Sequence, residues 1–129
     1  MSEQRKKKIL VVDDEPDLVS TLKMRLEAAG FEVIVASDGN LGYDKVKLEL
    51  PDLVILDLML PGMDGFQLCR LLKFDQKYRS IPVVLLTAQS QKEDKEWGTK
   101  AGADCYLTKP FDAKELLAKI KELLGGASG

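Results

Sequence analysis

The side chains most able to do chemistry in this chain are three carboxylates, one hydroxyl and one ammonium: Asp13, Asp14, Asp57, Thr87 and Lys109. Each follows or closes a short apolar run of the kind that forms a buried strand. If these runs are parallel strands, their carboxyl ends meet at one edge of the sheet, where open α/β sheets bind ligands. Such a set of groups suits a divalent cation together with a phosphoryl group.

The elements that must position these groups alternate regularly along the chain. Short apolar runs rich in β-branched residues predict strands at residues 9–12, 32–36, 52–56, 83–86 and 103–107. Apolar residues at helical spacing predict helices at about residues 17–29, 39–50, 64–75 and 92–101, and a last one after an N-cap at Asp112. The chain is therefore expected to contain five strands and five helices.

This alternation predicts an α/β fold with a single doubly wound parallel sheet. Parallel neighbours need long crossover connections, which are right-handed almost without exception. Five strands are too few to close an eight-stranded barrel. The predicted architecture is flavodoxin-like, with strand order 2-1-3-4-5 and five helices.

Length and composition predict one domain and exclude several classes of function. We expect a basic lead-in at residues 1–7, a domain at residues 8–124, and a flexible linker stub or added tail at residues 125–129. The 19 basic and 21 acidic residues, net charge −2, give no electrostatic case for direct nucleic acid binding. No apolar run reaches the roughly 20 residues that span a bilayer, and no signal peptide is evident. Two cysteines make no disulfide framework, so we expect a cytoplasmic protein with no membrane contact.

The adjacent acids Asp13 and Asp14 have two interpretations. Mg²⁺ takes oxygen ligands and keeps several waters, so two carboxylates at a strand end and a third nearby would hold it. Alternatively, the acidic run that includes Glu15 only caps the following helix, with Pro16 in its first turn. The predicted position of Asp57 on the neighbouring strand end favours the metal site.

The remaining groups suit phosphoryl chemistry. Asp57 ends the most apolar strand and can act as a nucleophile that forms an acyl phosphate, or alternatively as a third metal ligand only. Lys109 supplies a positive charge for a phosphate oxygen or for Asp57, and the Thr87 hydroxyl can reach a phosphoryl oxygen. The chain contains no histidine, so a phosphohistidine donor would have to be another molecule.

Four motifs together resemble one family: Asp13-Asp14-Glu15-Pro16, residues 57–65, Thr87-Ala88 and Lys109-Pro110-Phe111. In order and spacing they are similar to the motifs of response-regulator receiver domains of two-component signalling systems, the chemotaxis-regulator-like family. The resemblance covers roughly residues 8–124. It implies a phosphorylation-activated switch in which Asp57 accepts a phosphoryl group from a partner histidine kinase or a histidine phosphotransfer protein.

The resemblance also implies roles for individual residues. Mg²⁺ would be held by Asp13, Asp14, Asp57 and the backbone carbonyl of Met59. Lys109 and Thr87 would bind the phosphoryl oxygens, Thr87 and Tyr106 would form the switch, and the Lys109–Pro110 peptide bond would be cis.

The same resemblance places the output surface on the predicted fourth helix, fifth strand and fifth helix. That face would control an output partner or a fused output domain, and it also offers a surface for homodimerisation. Trp97 in the fourth helix would extend it, or would instead be a partly buried anchor. Two alternatives are a constitutive docking module and a Mg²⁺-dependent phosphatase. The expectation is a signalling domain, not an enzyme, that catalyses only its own phosphorylation and dephosphorylation.

Overall fold

The computed structural model describes residues 6–87 and 102–125. Five strands form one sheet: β1 Lys8–Val12, β2 Glu32–Ala36, β3 Leu53–Asp57, β4 Val83–Thr87 and β5 Cys105–Thr108. Four described helices accompany them: α1 Pro16–Ala28, α2 Gly39–Glu49, α3 Gly65–Lys73 and α4 Ala113–Leu123. Helix α4 corresponds to the fifth helix predicted from the sequence, and the predicted helix at residues 92–101 lies outside the described residues.

All strand pairs are parallel, and the strands lie in the order β2-β1-β3-β4-β5. The predicted doubly wound sheet and its order are therefore confirmed. Strands β3 and β4 are buried along their whole length, because helices cover both faces of the sheet. This burial explains why their sequences are continuous apolar runs instead of alternating ones.

The two faces of the sheet pack against different helices. Leu10 and Val12 point to one side with Val46 of α2 and Leu68 of α3, whereas Ile9 lies in the cluster on the other side. That second cluster also contains buried side chains of α1 and α4: Leu22, Leu26, Leu116 and Ile120. Successive strand residues alternate between the clusters, as the two-residue period of a strand requires.

The helix ends follow local sequence signals. Asp64 caps α3 by accepting a hydrogen bond from the Gln67 N–H, and the Gln67 side chain accepts one from the Asp64 N–H. The predicted N-cap of the last helix, Asp112, is confirmed by its bond from the Lys114 N–H. Helix α3 ends at Lys73, two residues before the predicted end.

At the amino edge of the sheet, two aspartates tie neighbouring strands together. Asp52, directly before β3, accepts a hydrogen bond of 2.7 Å from the backbone N–H of Lys8, the first residue of β1. Asp104, directly before β5, accepts one of 2.8 Å from the N–H of Val83, the first residue of β4. The Lys73 ammonium also binds Asp104, at 2.8 Å. These contacts satisfy strand-end N–H groups that the sheet ladder leaves open.

Candidate functional site

The carboxyl edge of the sheet holds the polar residues that the sequence predicts there. Asp13 follows β1, Asp57 and Thr87 are the last residues of β3 and β4, and Lys109 follows β5. Asp13, Asp57 and Thr87 are 1%, 6% and 3% exposed, and they are the buried polar side chains of the described part of the chain. Because burying polar groups costs free energy, a buried set at one strand edge marks a site and not an ordinary surface.

Both buried aspartates are fixed by the chain that follows them. Asp13 Oδ1 accepts a hydrogen bond of 2.9 Å from the Glu15 N–H, and Asp57 Oδ1 accepts one of 3.1 Å from the Met59 N–H. Each bond spans two residues, which is the geometry of an Asx turn. The second oxygen of each carboxylate thus remains directed at the shared site.

Lys109 binds these second oxygens. Its Nζ lies 3.0 Å from Asp13 Oδ2 and 3.1 Å from Asp57 Oδ2, and it also forms an ion pair with Glu15. An ammonium has three donors, so the three carboxylates use all of them. Burial on its own would lower the pKa of Lys109, but the hydrogen bonds to Glu15, Asp13 and Asp57 raise it above the ordinary value. Lys109 is therefore a fixed positive charge.

The contact with Glu15 was not predicted. One interpretation of the acidic run is a helix cap, and Glu15 does occupy the N-cap position of α1, with Pro16 directly after it. Its side chain makes no cap hydrogen bond, however, and binds Lys109 instead. The sequence feature that could have indicated this contact is the position of Glu15 directly after Asp13 and Asp14, at the same edge of the sheet as Lys109.

The loop after Asp57 is shaped by the close approach of α3. The Gly65 N–H donates to the Leu58 carbonyl at 3.0 Å. A Cβ atom at Gly65 would overlap the Asp57 carbonyl group, so only glycine lets α3 begin this close to the end of β3. This packing holds the short turn that carries Met59, whose side chain is exposed.

Residues near β5 complete the described site. The Lys109 N–H donates to the Thr87 carbonyl oxygen at 2.6 Å, which joins the ends of β4 and β5. The Lys109–Pro110 peptide bond is cis, as expected from the family resemblance. Tyr106 is partly buried against the cluster beneath α2 and α3. Ala88 and Trp97 lie outside the described residues, so the interpretations of Trp97 stay predictions.

The site carries more negative than positive charge. Burial raises the pKa of Asp57, and the charge of Asp13 raises it further, while the Met59 N–H and Lys109 lower it in part. Carboxylate oxygens of Asp13, Asp14 and Asp57 lie within 4.8 Å of one another. Hard oxygen donors at this spacing fit Mg²⁺, which needs few protein ligands. A divalent cation would also relieve the repulsion between the carboxylates.

A groove of about 770 Å³ opens beside these residues. Its lining includes Asp57, Met59 and Lys109 of the site as well as Leu18 of α1 and Phe111. The groove therefore joins the acidic site to an apolar surface between α1 and the start of α4. No helix in the described part of the chain is long and apolar enough to cross a membrane.

The fold and site together define a doubly wound α/β domain with an acidic cluster at the carboxyl edge of its sheet, and comparison with known proteins identifies the family. Residues 9–121 match the response regulator receiver domain family, and the chain belongs to it. Receiver domains are the phosphorylation-activated switches of two-component systems, and their partners are histidine kinases.

Among curated proteins, the chain is 46% identical over 118 residues to the alkaline phosphatase synthesis transcriptional regulatory protein PhoP of Bacillus subtilis (strain 168). It is also 46% identical over 117 residues to the DNA-binding dual master transcriptional regulator RpaA of Synechocystis sp.. These matches cover 92% and 91% of this chain but 48% of each relative, so the chain spans about half the length of both.

A solved structure gives a direct comparison for the site. The receiver domain of the sensor histidine kinase PA1611 from Pseudomonas aeruginosa PAO1 is 28% identical, with a TM-score of 0.86 over 94% of this chain and 99% of that one. That domain was solved with a magnesium ion coordinated in its active site cleft. The receiver family predicted from the sequence motifs is thus confirmed.

Proposed function

We propose that Asp57 is the residue that accepts the phosphoryl group, from a phosphohistidine of a partner histidine kinase or histidine phosphotransfer protein. An Asp57 carboxylate oxygen forms a bond to phosphorus while the bond between phosphorus and the imidazole nitrogen breaks. The electron pair of that bond stays on the imidazole nitrogen, and Asp57 becomes an acyl phosphate. The receiver thereby changes its charge at a single buried position.

The observation that carries this proposal is the unbalanced charge around Lys109. Structural ion pairs in a protein interior are matched, because an unpaired buried charge is costly. Here one ammonium faces Asp13, Glu15 and Asp57, and the Asp14 carboxylate lies beside them. This excess of carboxylates over ammonium groups is explained if the site also binds a cation, which balances the charge, and then a phosphoryl group.

Each residue then has a defined role. Asp13, Asp14 and Asp57, with the Met59 carbonyl, would hold Mg²⁺, which supplies positive charge to the phosphoryl oxygens when it is bound. Lys109 supplies a second positive charge from the end of β5, at the same edge of the sheet. The Thr87 hydroxyl would bind a phosphoryl oxygen of the acyl phosphate, and the Met59 N–H keeps the Asp57 carboxylate oriented.

The partners follow from the surfaces. The donor protein would approach over the groove between α1 and α4, because this groove reaches Asp57 from an apolar surface. Phosphorylation would then change the face that β5 and α4 form, through Thr87 and Tyr106. The sequence also predicts a helix of this face at residues 92–101, which lie outside the described residues. The relatives are transcriptional regulators, so we propose an output partner or fused domain that acts on transcription, while the receiver itself does not contact nucleic acid.

Phosphorylation with a small donor tests the proposal. The protein is incubated with Mg²⁺ and acetyl phosphate, and its intact mass is measured. We expect one phosphoryl adduct, which is absent in Asp57→Asn and after chelation of Mg²⁺ but present in Asp104→Asn, a matched change at the other sheet edge. Adduct formation on Asp57→Asn equal to wild type would overturn the assignment, and no adduct on a protein that binds Mg²⁺ would favour a constitutive docking module.

A further inference from the structure

Glu15 contacts the site but has no role in the proposed phosphotransfer. It stands at the N-cap position of α1 without capping the helix, and its carboxylate binds the Lys109 ammonium. Unlike Asp13 and Asp57, whose side chains are 0% and 8% exposed, the Glu15 side chain is 58% exposed. Glu15 is therefore held to the site mainly by this ion pair.

Lys109 cannot bind a phosphoryl oxygen without giving up a present partner. Its three donors are directed at Asp13, Glu15 and Asp57, and an ammonium has no fourth donor. The bonds to Asp13 and Asp57 are shielded from water, whereas the bond to Glu15 is exposed and weakened by solvent. Phosphorylation changes Asp57 itself, and of the two carboxylates that remain on Lys109, Glu15 is the more exposed. Glu15 is thus the one that is released more easily when the ammonium moves onto a phosphoryl oxygen.

We propose that Glu15 is a positioning residue that restrains Lys109 in the unphosphorylated state and thereby opposes formation of the phosphorylated state. This inference rests on the proposed function of Asp57 and Lys109. Release of the exposed ion pair is part of the cost of placing Lys109 on a phosphoryl oxygen. Removing the Glu15 charge removes that cost, so the phosphorylated state becomes easier to reach.

The size of the effect follows from the exposure of the pair. Because solvent screens an ion pair of this exposure, its loss has only a small effect. We therefore expect a two- to five-fold change in equilibrium for the variant without the charge, which corresponds to about 0.4 to 1 kcal/mol. The variant is Glu15→Gln, because glutamine keeps the length and an acceptor oxygen.

The first test measures binding of beryllium trifluoride, a stand-in for the phosphoryl group on a carboxylate, in the presence of saturating Mg²⁺. We expect Glu15→Gln to bind it two- to five-fold more tightly than wild type. The control is Glu32→Gln, the same chemical change on an exposed residue at the start of β2. An affinity of Glu15→Gln equal to that of Glu32→Gln would overturn the proposal.

A double-mutant cycle separates restraint of Lys109 from simple repulsion between Glu15 and the incoming anion. If Glu15 acts through Lys109, Glu15→Gln has no effect on beryllium trifluoride affinity in a Lys109→Ala background. If the tightening persists without the lysine, Glu15 acts by direct repulsion and the proposal is wrong.

A spectroscopic measurement observes the restraint itself. The side-chain ammonium of Lys109 is followed by nitrogen NMR in the unphosphorylated protein at low temperature. We expect the Lys109 signal to shift and its hydrogens to exchange faster in Glu15→Gln, but not in Glu32→Gln. An unchanged Lys109 signal would contradict the proposal. Failure of wild type to bind beryllium trifluoride or to be phosphorylated would instead contradict the proposed function, so the two failures are distinguishable.

Discussion

The two edges of the sheet use the same residue types for different purposes. At the amino edge, Lys73 pairs with Asp104, and Lys8 pairs with Glu49 at 3.1 Å, so each of these two lysines forms an ion pair with one acidic side chain. At the carboxyl edge, Lys109 alone faces three carboxylates. Matched charges join helix ends to strand starts at the amino edge, whereas an excess of negative charge at the carboxyl edge leaves a site ready for a charged ligand.

The backbone contacts sharpen the contrast. Asp52 and Asp104 accept N–H groups from the neighbouring strand, so their bonds connect separate parts of the sheet. Asp13 and Asp57 accept N–H groups from residues two positions ahead, so their bonds orient only the carboxylates themselves. The first arrangement stabilises the fold, and the second presents oxygen atoms to a ligand. Substitutions at the two edges should therefore have opposite effects on stability.

The largest effect is expected at the amino edge. Asp104→Ala leaves the Val83 N–H and the Lys73 ammonium without their partner, and we expect it to lower the free energy of unfolding by about 2 kcal/mol. Urea denaturation measures the change. The control is Asp104→Asn, which retains an acceptor for the Val83 N–H and should cost less. Equal losses in both variants would mean that charge, and not the strand-end hydrogen bond, is what matters.

Removing a negative charge at the carboxyl edge should raise the free energy of unfolding instead of lowering it. Burial raises the folded-state pKa of Asp57 above its ordinary 3.8, so ionisation of this group destabilises the fold at pH values above the folded-state pKa. We expect Asp57→Asn to raise the free energy of unfolding by about 1 kcal/mol at pH 7 without Mg²⁺.

The stability difference between Asp57→Asn and wild type should depend on pH, because the pKa of Asp57 is raised in the folded state. As the pH falls through the raised pKa toward the ordinary value, wild-type Asp57 takes up a proton and the destabilisation disappears. The advantage of Asp57→Asn should therefore shrink between pH 7 and about pH 4, close to the ordinary aspartate value. Denaturation of both proteins across this range measures it, and an advantage independent of pH would refute the burial argument.

The smallest effect is expected for the more exposed pair of the amino edge. The Lys8 and Glu49 side chains are 25% and 38% exposed, so solvent screens their attraction. Glu49→Gln should lower the free energy of unfolding by about 0.5 kcal/mol or less. The loss should shrink further in high salt, and a loss as large as that of Asp104→Ala would show that exposure does not separate the two pairs.

Much of the site could be predicted from the sequence because it depends on strand ends. Apolar runs locate the strands, and the parallel order brings Asp13, Asp57, Thr87 and Lys109 to one edge without any knowledge of side-chain conformation. The contact between Glu15 and Lys109 joins residues 94 positions apart through two long side chains. Its geometry depends on rotamers and on competition for one ammonium, which strand patterns do not encode.

The contacts of the amino edge were not predicted for a related reason. The bonds from Lys8 to Asp52 and from Val83 to Asp104 depend on the register between neighbouring strands. The pairing of residues between two neighbouring strands can be predicted only when the first and last residue of each strand are known. A sequence pattern locates these boundaries less accurately than it locates the strand itself. Asp104 illustrates this limit, because β5 begins at Cys105 and not at residue 103 as predicted.

The central claim is that the excess carboxylates of the carboxyl edge form a cation site, and linkage between Mg²⁺ and stability tests it most directly. At a Mg²⁺ concentration ten times the Kd, wild type should gain about 1.4 kcal/mol in free energy of unfolding, relative to a salt control of equal ionic strength. Asp13→Asn and Asp57→Asn should lose most of this gain, and Asp104→Asn should retain it. Equal gains in all four proteins, or no gain in wild type, would contradict the account.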